Sequence, residues 1–253
     1  SRSRAEWIHR VLRHVGTTEA RALIPAVCES IDGDTLVPSA DDRLWEMLTW
    51  VEGNPVISPS RSQMTAAMHA VARLHLALAD VPGEEPRFMA SHGVEERILR
   101  ARRLLGRPWR RLLNLAPQAS ALEQEVGSVR ARAGDIFEAY DADVILQKVA
   151  TLASFPLLCQ SVLRDVWCDH VLFDRSTPDH VAGVVDFHAI GIDTPAVDVA
   201  RLLGSWLRAG QSDNAAWWDS ALDAYETVRS LGARERRLVP LLAATGIIFG
   251  LDN

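Results

Sequence analysis

The segment Leu163–Gly191 constrains the fold and the chemistry of this chain more than any other. Asp165 follows an apolar run, a short hairpin pattern comes next, and Asp186 closes the hairpin. An isolated aspartate after a strand is usually a turn residue. Two carboxylates on either side of one hairpin suit a more specific task, because one can accept a proton from a hydroxyl while the other holds a divalent metal on a nucleotide.

Further motifs stand in a fixed order around this hairpin. Asp165 is followed five positions later by His170, and Asp186 is followed directly by Phe187. Residues 193–200 then read D-T-P-A-V-D-V-A. Upstream, residues 70–75 read A-V-A-R-L-H and residues 45–53 read W-E-M-L-T-W-V-E-G.

This series resembles the motifs of the aminoglycoside phosphotransferase/choline kinase family, distant relatives of the protein kinases. The family pattern is H-G-D-x-x-x-x-N, a hairpin, D-F or D-W, and then D-x-A-x-D-hydrophobic-A. The resemblance implies an α+β, two-lobed, protein-kinase-like fold with a small, truncated N-terminal β-sheet lobe and a larger, mainly helical C-terminal lobe. Residues 1–53 are then a partial nucleotide-binding lobe with its hinge, and residues 54–253 are the helical catalytic lobe.

The resemblance also implies an activity: ATP-dependent phosphorylation of a hydroxyl on a small molecule, with magnesium. Asp165 matches the family's catalytic aspartate, which holds the acceptor hydroxyl in line with the γ-phosphate. Asp186 matches the magnesium ligand, and a hard cation prefers carboxylate oxygen. Asp198, in the first turn of a predicted helix, is expected to bond the catalytic loop rather than the substrate, and His75 and Asp193 are likewise expected to be structural.

Several positions depart from the family pattern. His170 stands where the family has a metal-binding asparagine. Magnesium prefers oxygen ligands and imidazole suits softer metals, so His170 either ligates a metal weakly, with Mn²⁺ as an alternative to Mg²⁺, or bonds Asp165, or only packs. Leu163 and Arg164 replace the family's histidine and glycine, and Trp167 lies where the family often has histidine.

The nucleotide-binding side is less complete. By alignment with the family hinge, backbone groups of Thr49 and Val51 are candidates for contacting adenine. Glu6 in the first helix is the candidate partner of the family's phosphate-binding lysine. Lys148 is the only lysine of the sequence and falls in the wrong lobe. The phosphate-binding lysine is therefore expected upstream of Ser1 or absent, and both ends of the sequence are expected to be cut.

Composition excludes some functional classes. A net charge of −6 argues against nucleic acid, because phosphate contacts need a basic face, and it is compatible with a cationic substrate. The three cysteines show no zinc spacing, so a reducing, cytoplasmic setting is expected. No run of 18 apolar residues predicts a membrane span. The oligomeric state is left open.

Apolar periodicity and turn residues predict the elements. The predicted strands are Leu23–Cys28, Thr35–Val37 and Arg43–Leu48. The predicted helices are Ser3–Val15, a helix capped by Ser62 that runs to Ala79, Glu95–Leu105, Ala119–Ala139, Val144–Leu152, a helix capped by Thr194 and ended by Gly210, Ala215–Ser230 and Ala233–Leu251.

Two alternatives to an active kinase remain open on the sequence. The first is a catalytically weak or inactive relative that binds nucleotide or a partner protein, which the altered residues around Asp165 favour. The second is a metal hydrolase that uses Asp165, His170 and Asp186, although the sequence offers no further His/Asp cluster for it.

Overall fold

The computed structural model describes residues 1–41, 43–106, 142–208 and 215–249. The predicted helix Ala119–Ala139, the predicted end at Gly210 and the last residue of the predicted terminal helix, Leu251, lie outside these ranges. The helices are α1 (Arg2–Val15), α2 (Arg61–Ala79), α3 (His92–Gly106), α4 (Ala142–Ala153), α5 (Ala196–Arg208), α6 (Ala215–Glu226) and α7 (Ala233–Phe249). Each predicted helix inside the described ranges is therefore confirmed, with shifted ends.

Short antiparallel sheets accompany these helices. The strands are β1 (Val37–Pro38), β2 (Leu44–Trp45), β3 (Asn54–Pro55), β4 (Arg87–Met89), β5 (Leu157–Val162), β6 (Val171–Phe173), β7 (Val181–Val184) and β8 (Gly191–Asp193). β1 pairs with β2, the second sheet has the order β3-β6-β7, and the third has the order β4-β5-β8. The architecture is α+β, with small sheets at the N-terminal end and a helical C-terminal part.

The N-terminal region contains less strand than the sequence predicts. The predicted strand Leu23–Cys28 is wrong, because Glu19–Leu23 forms a 3₁₀-helix that Thr18 caps, and only Val27 makes an isolated antiparallel bridge, to Leu48. Pro25 cannot donate to a β-ladder. The predicted strands Thr35–Val37 and Arg43–Leu48 shrink to the two-residue strands β1 and β2.

Helix α2 forms the centre of the core and has a well-defined start. The sequence predicts Ser62 as its N-cap, but the structure places the cap at Ser60. The Ser60 side chain accepts the N–H of Gln63, and the Gln63 side chain accepts the N–H of Ser60. This reciprocal pair outcompetes Ser62 because it satisfies two orphan donors at once. The helix buries one face completely, with Met64, Met68, Val71, Leu74 and Leu78.

Helix α5 fixes the position of the loop that carries Asp165 relative to this core. Its buried face includes Leu202, Leu203 and Trp206, none of them exposed to solvent. The indole N–H of Trp206 donates to the carbonyl of Val56 at 2.9 Å, which ties α5 to the segment after β3. Thr194 was predicted to cap this helix, but its hydroxyl instead donates to Glu235 at 2.9 Å. Among the described helices, none combines the length and apolarity needed to cross a membrane.

Candidate active site

The hairpin between the two aspartates consists of β6 and β7. Asp174 shapes its turn, because one carboxylate oxygen accepts the N–H groups of Ser176 and Thr177 at 2.7 and 2.9 Å. These bonds, with that of the Ser176 hydroxyl, hold the pKa of Asp174 well below its usual range. The turn thereby fixes the register of two strands whose outer ends carry the candidate site.

The loop that carries Asp165 is held by a buried carboxylate on α5. Asp198 accepts the backbone N–H groups of Leu163 and Arg164, each at 2.7 Å, and its side chain has no solvent exposure. Arg164 adopts a left-handed conformation with φ of 67°. Such a conformation is costly outside glycine and persists only when the surroundings enforce it. The predicted bond between Asp198 and the catalytic loop is thus confirmed.

Asp165 is half-exposed and is oriented by two donors. The indole N–H of Trp167 donates to its Oδ1 at 2.7 Å, and the guanidinium of Arg201 lies 3.0 Å from the same oxygen. The Arg201 guanidinium also lies over the Trp167 ring, 5.0 Å from the ring centroid. Because both donors contact Oδ1, the second oxygen is the one suited to accept a proton from a bound hydroxyl.

His170 links the two candidate aspartates. Its Nδ1 lies 2.7 Å from the backbone carbonyl of Asp165, and a carbonyl only accepts, so Nδ1 carries the hydrogen. Nε2, which then carries the lone pair, lies 3.7 Å from Oδ2 of Asp186 and 3.8 Å from Oδ1 of Asp169. Metal-binding histidines commonly donate their other N–H to a backbone carbonyl in this way.

Asp186 projects from a strained backbone at the end of the hairpin. Its φ is 65°, the left-handed region, and its side chain is 44% exposed. Strained residues of this kind cluster at functional sites. The pair Asp186 and His170 fits a divalent cation that takes its remaining ligands from phosphates and water. Within the described ranges no group of three or more His, Cys, Asp or Glu side chains is arranged to hold a metal.

A buried network of hydrogen-bonded side chains holds Asp198 in place. His75 donates from Nε2 to Asp198 at 3.0 Å, and its Nδ1 accepts from the Tyr225 hydroxyl at 2.8 Å. The side-chain amide of Gln160 donates to the His75 carbonyl at 2.6 Å and accepts from Arg229 at 2.7 Å. His75 thus has the structural role expected from the sequence. Burial lowers the pKa of His75, although the hydrogen bond to Asp198 acts in the opposite direction.

The lowered pKa of His75 predicts a loss of stability in acid. Below the unfolded-state pKa of about 6.5, the unfolded chain binds a proton at His75 that the folded chain refuses, so the free energy of unfolding falls as the pH drops toward the folded-state pKa. We expect His75→Gln to reduce this fall, because a glutamine can reproduce both neutral hydrogen bonds. Urea unfolding at about pH 7.5 and about pH 5.5 measures it, across the ordinary histidine pKa.

The control for this measurement is His180→Gln, which changes an exposed histidine of the β6–β7 turn. It should keep the wild-type difference in stability between the two pH values. Equal differences for the wild type and His75→Gln would show that another group causes the acid loss.

Asp193 also has the structural role expected of it. Its carboxylate accepts the hydroxyl of Ser91 and the N–H groups of Gly93 and Thr194, the last two at 2.8 Å each. It therefore anchors the start of α3 against the segment that leads into α5. An added Cβ at Gly93 would lie 2.5 Å from this carboxylate, so the close approach requires glycine.

The nucleotide-side candidates lie on α1 and in the segment 45–53. Glu6 pairs with Arg2 of the same helix at 2.8 Å, and both side chains are about half-exposed, at 53% and 54%. Thr49 uses its N–H and its hydroxyl to bond the backbone of Ala26, at 2.9 and 2.8 Å. Contact between Thr49 and adenine then depends on the Thr49 carbonyl. The predicted roles of Glu6, Thr49 and Val51 stay predictions.

Sequence reasoning missed Arg201 and Ser205 on α5. Arg201 contacts Asp165, and the Ser205 hydroxyl accepts the N–H of Cys168 at 2.9 Å. The available signal was their spacing from Asp198, because residues three and seven positions further along a helix lie on the same face. Arg201 and Ser205 therefore face the loop that Asp198 already holds.

Solved structures with a similar fold include an aminoglycoside phosphotransferase and an amicoumacin kinase. The chain matches an aminoglycoside phosphotransferase from Alicyclobacillus acidocaldarius with a TM-score of 0.64 and 16% identity, over 98% of this chain and 71% of that one. It matches an amicoumacin kinase in complex with AMP-PNP and Ca²⁺ with a TM-score of 0.62 and 11% identity, over 98% and 69%. The fold is therefore that of the kinase-like phosphotransferases.

Sequence comparison places the chain more narrowly. The chain belongs to the phosphotransferase enzyme family, whose profile matches residues 1–238. It is 29% identical over 229 residues to a homoserine kinase from Burkholderia mallei, covering 85% of this chain and 59% of that protein. It is 26% identical over 200 residues to a homoserine kinase from Mesorhizobium japonicum, covering 78% and 53%. The chain thus spans between half and two thirds of the length of these relatives.

Proposed function

We propose that this protein transfers the γ-phosphoryl group of ATP to a hydroxyl of a small molecule. The observation that carries the proposal is the His170 ring, which contacts the Asp165 carbonyl with one nitrogen and faces Asp186 with the other. It joins the proton-accepting and the metal-binding carboxylate into one site. The family and the homoserine kinases and antibiotic phosphotransferases among its relatives support the same reaction class.

Asp165 acts on the acceptor in this proposal. Its second carboxylate oxygen orients the acceptor hydroxyl and receives its proton as the oxygen–phosphorus bond forms and ADP leaves. Arg201 and Trp167 keep the carboxylate in place through Oδ1. Phosphoryl transfer depends mainly on positioning and electrostatics, so a carboxylate fixed by two donors is well suited to the task.

Asp186 and His170 hold the divalent cation in this proposal, and magnesium or manganese supplies charge neutralisation on the phosphates when it is bound. Residues 1–53 form the nucleotide-binding side, with the Thr49 carbonyl and Val51 as adenine contacts and Glu6 as a partner for a phosphate-binding lysine. Residues 54–253 carry the catalytic side.

The second candidate function is a weak or inactive nucleotide-binding relative. The observation that favours it is the ion pair between Arg201 and Asp165. An acceptor hydroxyl can approach Asp165 only if this ion pair leaves space for it. Turnover separates the two functions. The assay measures ADP release from ATP in the presence of L-homoserine or streptomycin. The first is the substrate for which the related homoserine kinases are named, and the second is bound in a solved structure of an aminoglycoside phosphotransferase from Streptomyces rimosus that this chain matches with a TM-score of 0.51 and 19% identity.

The metal assignment predicts separable effects of Asp186 and His170. Asp186→Ala should lose metal-dependent ATP binding, because it removes the only carboxylate proposed to hold the cation. His170→Asn should raise the preference for magnesium over manganese, because it replaces imidazole with an oxygen ligand. Isothermal titration of Mg-ATP and Mn-ATP into each variant measures both.

Asp179→Asn is the matched control, because it changes an exposed carboxylate of the same hairpin. It should bind both metal nucleotides as the wild type does. If Asp186→Ala binds Mg-ATP like the wild type, the metal assignment is wrong. If no acceptor stimulates ADP release while Mg-ATP still binds, the nucleotide-binding alternative stands.

A further inference from the structure

A cavity of about 250 Å³ lies beside the catalytic loop, between α3, α5 and α7. Its wall includes Arg164 and Trp167 from the loop and Arg201 from α5. Arg201 also contacts Asp165, so one guanidinium group separates the cavity from the candidate catalytic carboxylate. Its volume lies just below the range of about 300–1,000 Å³ that is usual for ligand pockets, so it suits only a small metabolite.

The charged residues of the wall are mainly arginines. The wall contains Arg97, Arg100, Arg164 and Arg201, opposed by Glu96 and Asp193. Asp193 already accepts bonds from the Ser91 hydroxyl and from the backbone of Gly93 and Thr194. Among the described residues that line the cavity, positive charge therefore exceeds negative charge, in a chain whose net charge is −6.

Two of these arginines are incompletely paired. The Nε–H of Arg201 is shielded from solvent and has no hydrogen-bond partner within the described ranges, while Arg201 itself lines the cavity. Arg97 is half-buried and donates through one nitrogen to the Leu242 carbonyl at 3.1 Å. Burial lowers the pKa of Arg97 to about 10, and repulsion from Arg201 contributes in the same direction. A negative charge beside the two guanidinium groups would offset their mutual repulsion and favour the charged form of Arg97.

We propose that this cavity binds the carboxylate of the acceptor, so that the substrate is a small hydroxy acid. Guanidinium groups match a carboxylate through paired N–H donors, and this geometry selects it over a neutral or cationic group. The inference rests on the proposed phosphoryl transfer, because it assigns the acceptor side of the same site. It replaces the cationic substrate that the overall charge alone would allow.

The experiment compares small hydroxy acids with their amides, in pairs that differ only in the charged group. Thermal unfolding of the purified protein is followed with each compound at about 10 mM, because a ligand stabilises the fold by RT ln(1 + [L]/Kd). At least one hydroxy acid should raise the Tm while its amide does not. Arg97→Gln and Arg164→Asn should each abolish that shift, and asparagine tolerates the left-handed backbone at position 164.

Arg103→Gln is the matched control, because this arginine is exposed on the same helix as Arg97 and does not line the cavity. It should keep the full shift. The inference fails if amides or amines raise the Tm as much as the acids do, if no acid in the panel raises it, or if the shift survives in either pocket variant.

Binding of Mg-ATP, measured on the same samples, separates this inference from the proposed function. A hydroxy-acid shift that depends on Arg97, without any Mg-ATP binding, supports the anion pocket and contradicts the kinase. Turnover of a cationic or neutral acceptor without a hydroxy-acid shift supports the kinase and overturns the pocket. Weaker Mg-ATP binding in Arg97→Gln would assign the arginines to the nucleotide and would also overturn it.

Discussion

Asp165→Asn should lower phosphoryl transfer by about 10²–10⁴-fold, the range expected when a positioned proton acceptor is removed. Asparagine has nearly the same shape and can still accept the indole N–H of Trp167. It has no negative charge, however, so it cannot take the acceptor proton or pair with Arg201. The measurement is kcat for ADP release with an identified acceptor, together with a thermal melt of the same sample.

The melt decides how the kinetic loss is interpreted. The Tm of Asp165→Asn should stay near that of the wild type, because the half-exposed ion pair with Arg201 contributes at most about 1 kcal/mol. Asp179→Asn should leave both kcat and Tm unchanged. An unaltered kcat in Asp165→Asn would remove Asp165 from the mechanism.

Asp198→Asn should be strongly destabilising, although Asp198 touches no proposed substrate. Its two oxygens accept the N–H groups of Leu163 and Arg164 and a hydrogen from His75. An asparagine side chain offers one oxygen, so its amide group would oppose a donor. We expect a loss of about 3 kcal/mol, typical of a buried, charged hydrogen-bond network that loses one acceptor.

For a chain of this size, that loss corresponds to a Tm lower by roughly 6–12 °C. Turnover should fall as well, because the left-handed backbone at Arg164 loses the bonds that enforce it. Asp32→Asn, in an exposed turn, is the control for removal of an acidic group. A Tm of Asp198→Asn equal to that of this control would contradict the anchoring role.

The two predictions separate direct from indirect action on the same loop. Asp165→Asn is expected to change kcat at constant stability, whereas Asp198→Asn is expected to change stability and kcat together. The difference follows from burial, because Asp198 has no solvent exposure while the Asp165 side chain is 38% exposed. A buried carboxylate with several donors is structural first, and an accessible one is available to a substrate.

The helical part of the fold was predictable from local pattern. The apolar spacing from Met64 to Leu78 predicts α2 because residues three and four positions apart share a helix face. The N-terminal strands were less predictable, because two-residue strands such as β1 carry almost no periodic signal and Pro25 interrupts the segment before them. The N-cap of α2 is Ser60 and not the predicted Ser62, because side-chain geometry allows the reciprocal hydrogen bonds between Ser60 and Gln63.

The sequence by itself determined which chemical groups the candidate site contains. The order of Asp165, His170 and Asp186 around one hairpin predicted their proximity, since a hairpin brings its two ends together within a few residues. The sequence also placed Asp198 near the start of a helix, because it follows Thr194 and Pro195, which are typical of a helix N-terminus. These are local relations, and chain connectivity is sufficient to fix them.

Only the tertiary structure decided what surrounds those groups. Arg97 and Arg201 come from helices about a hundred residues apart in sequence, and they meet in one cavity because α3, α5 and α7 pack around it. The pairing of Arg201 with Asp165 likewise depends on how α5 is tied to the core through Trp206. Such contacts arise from the packing of whole elements, and no local pattern of residues encodes which side chains will share a cavity.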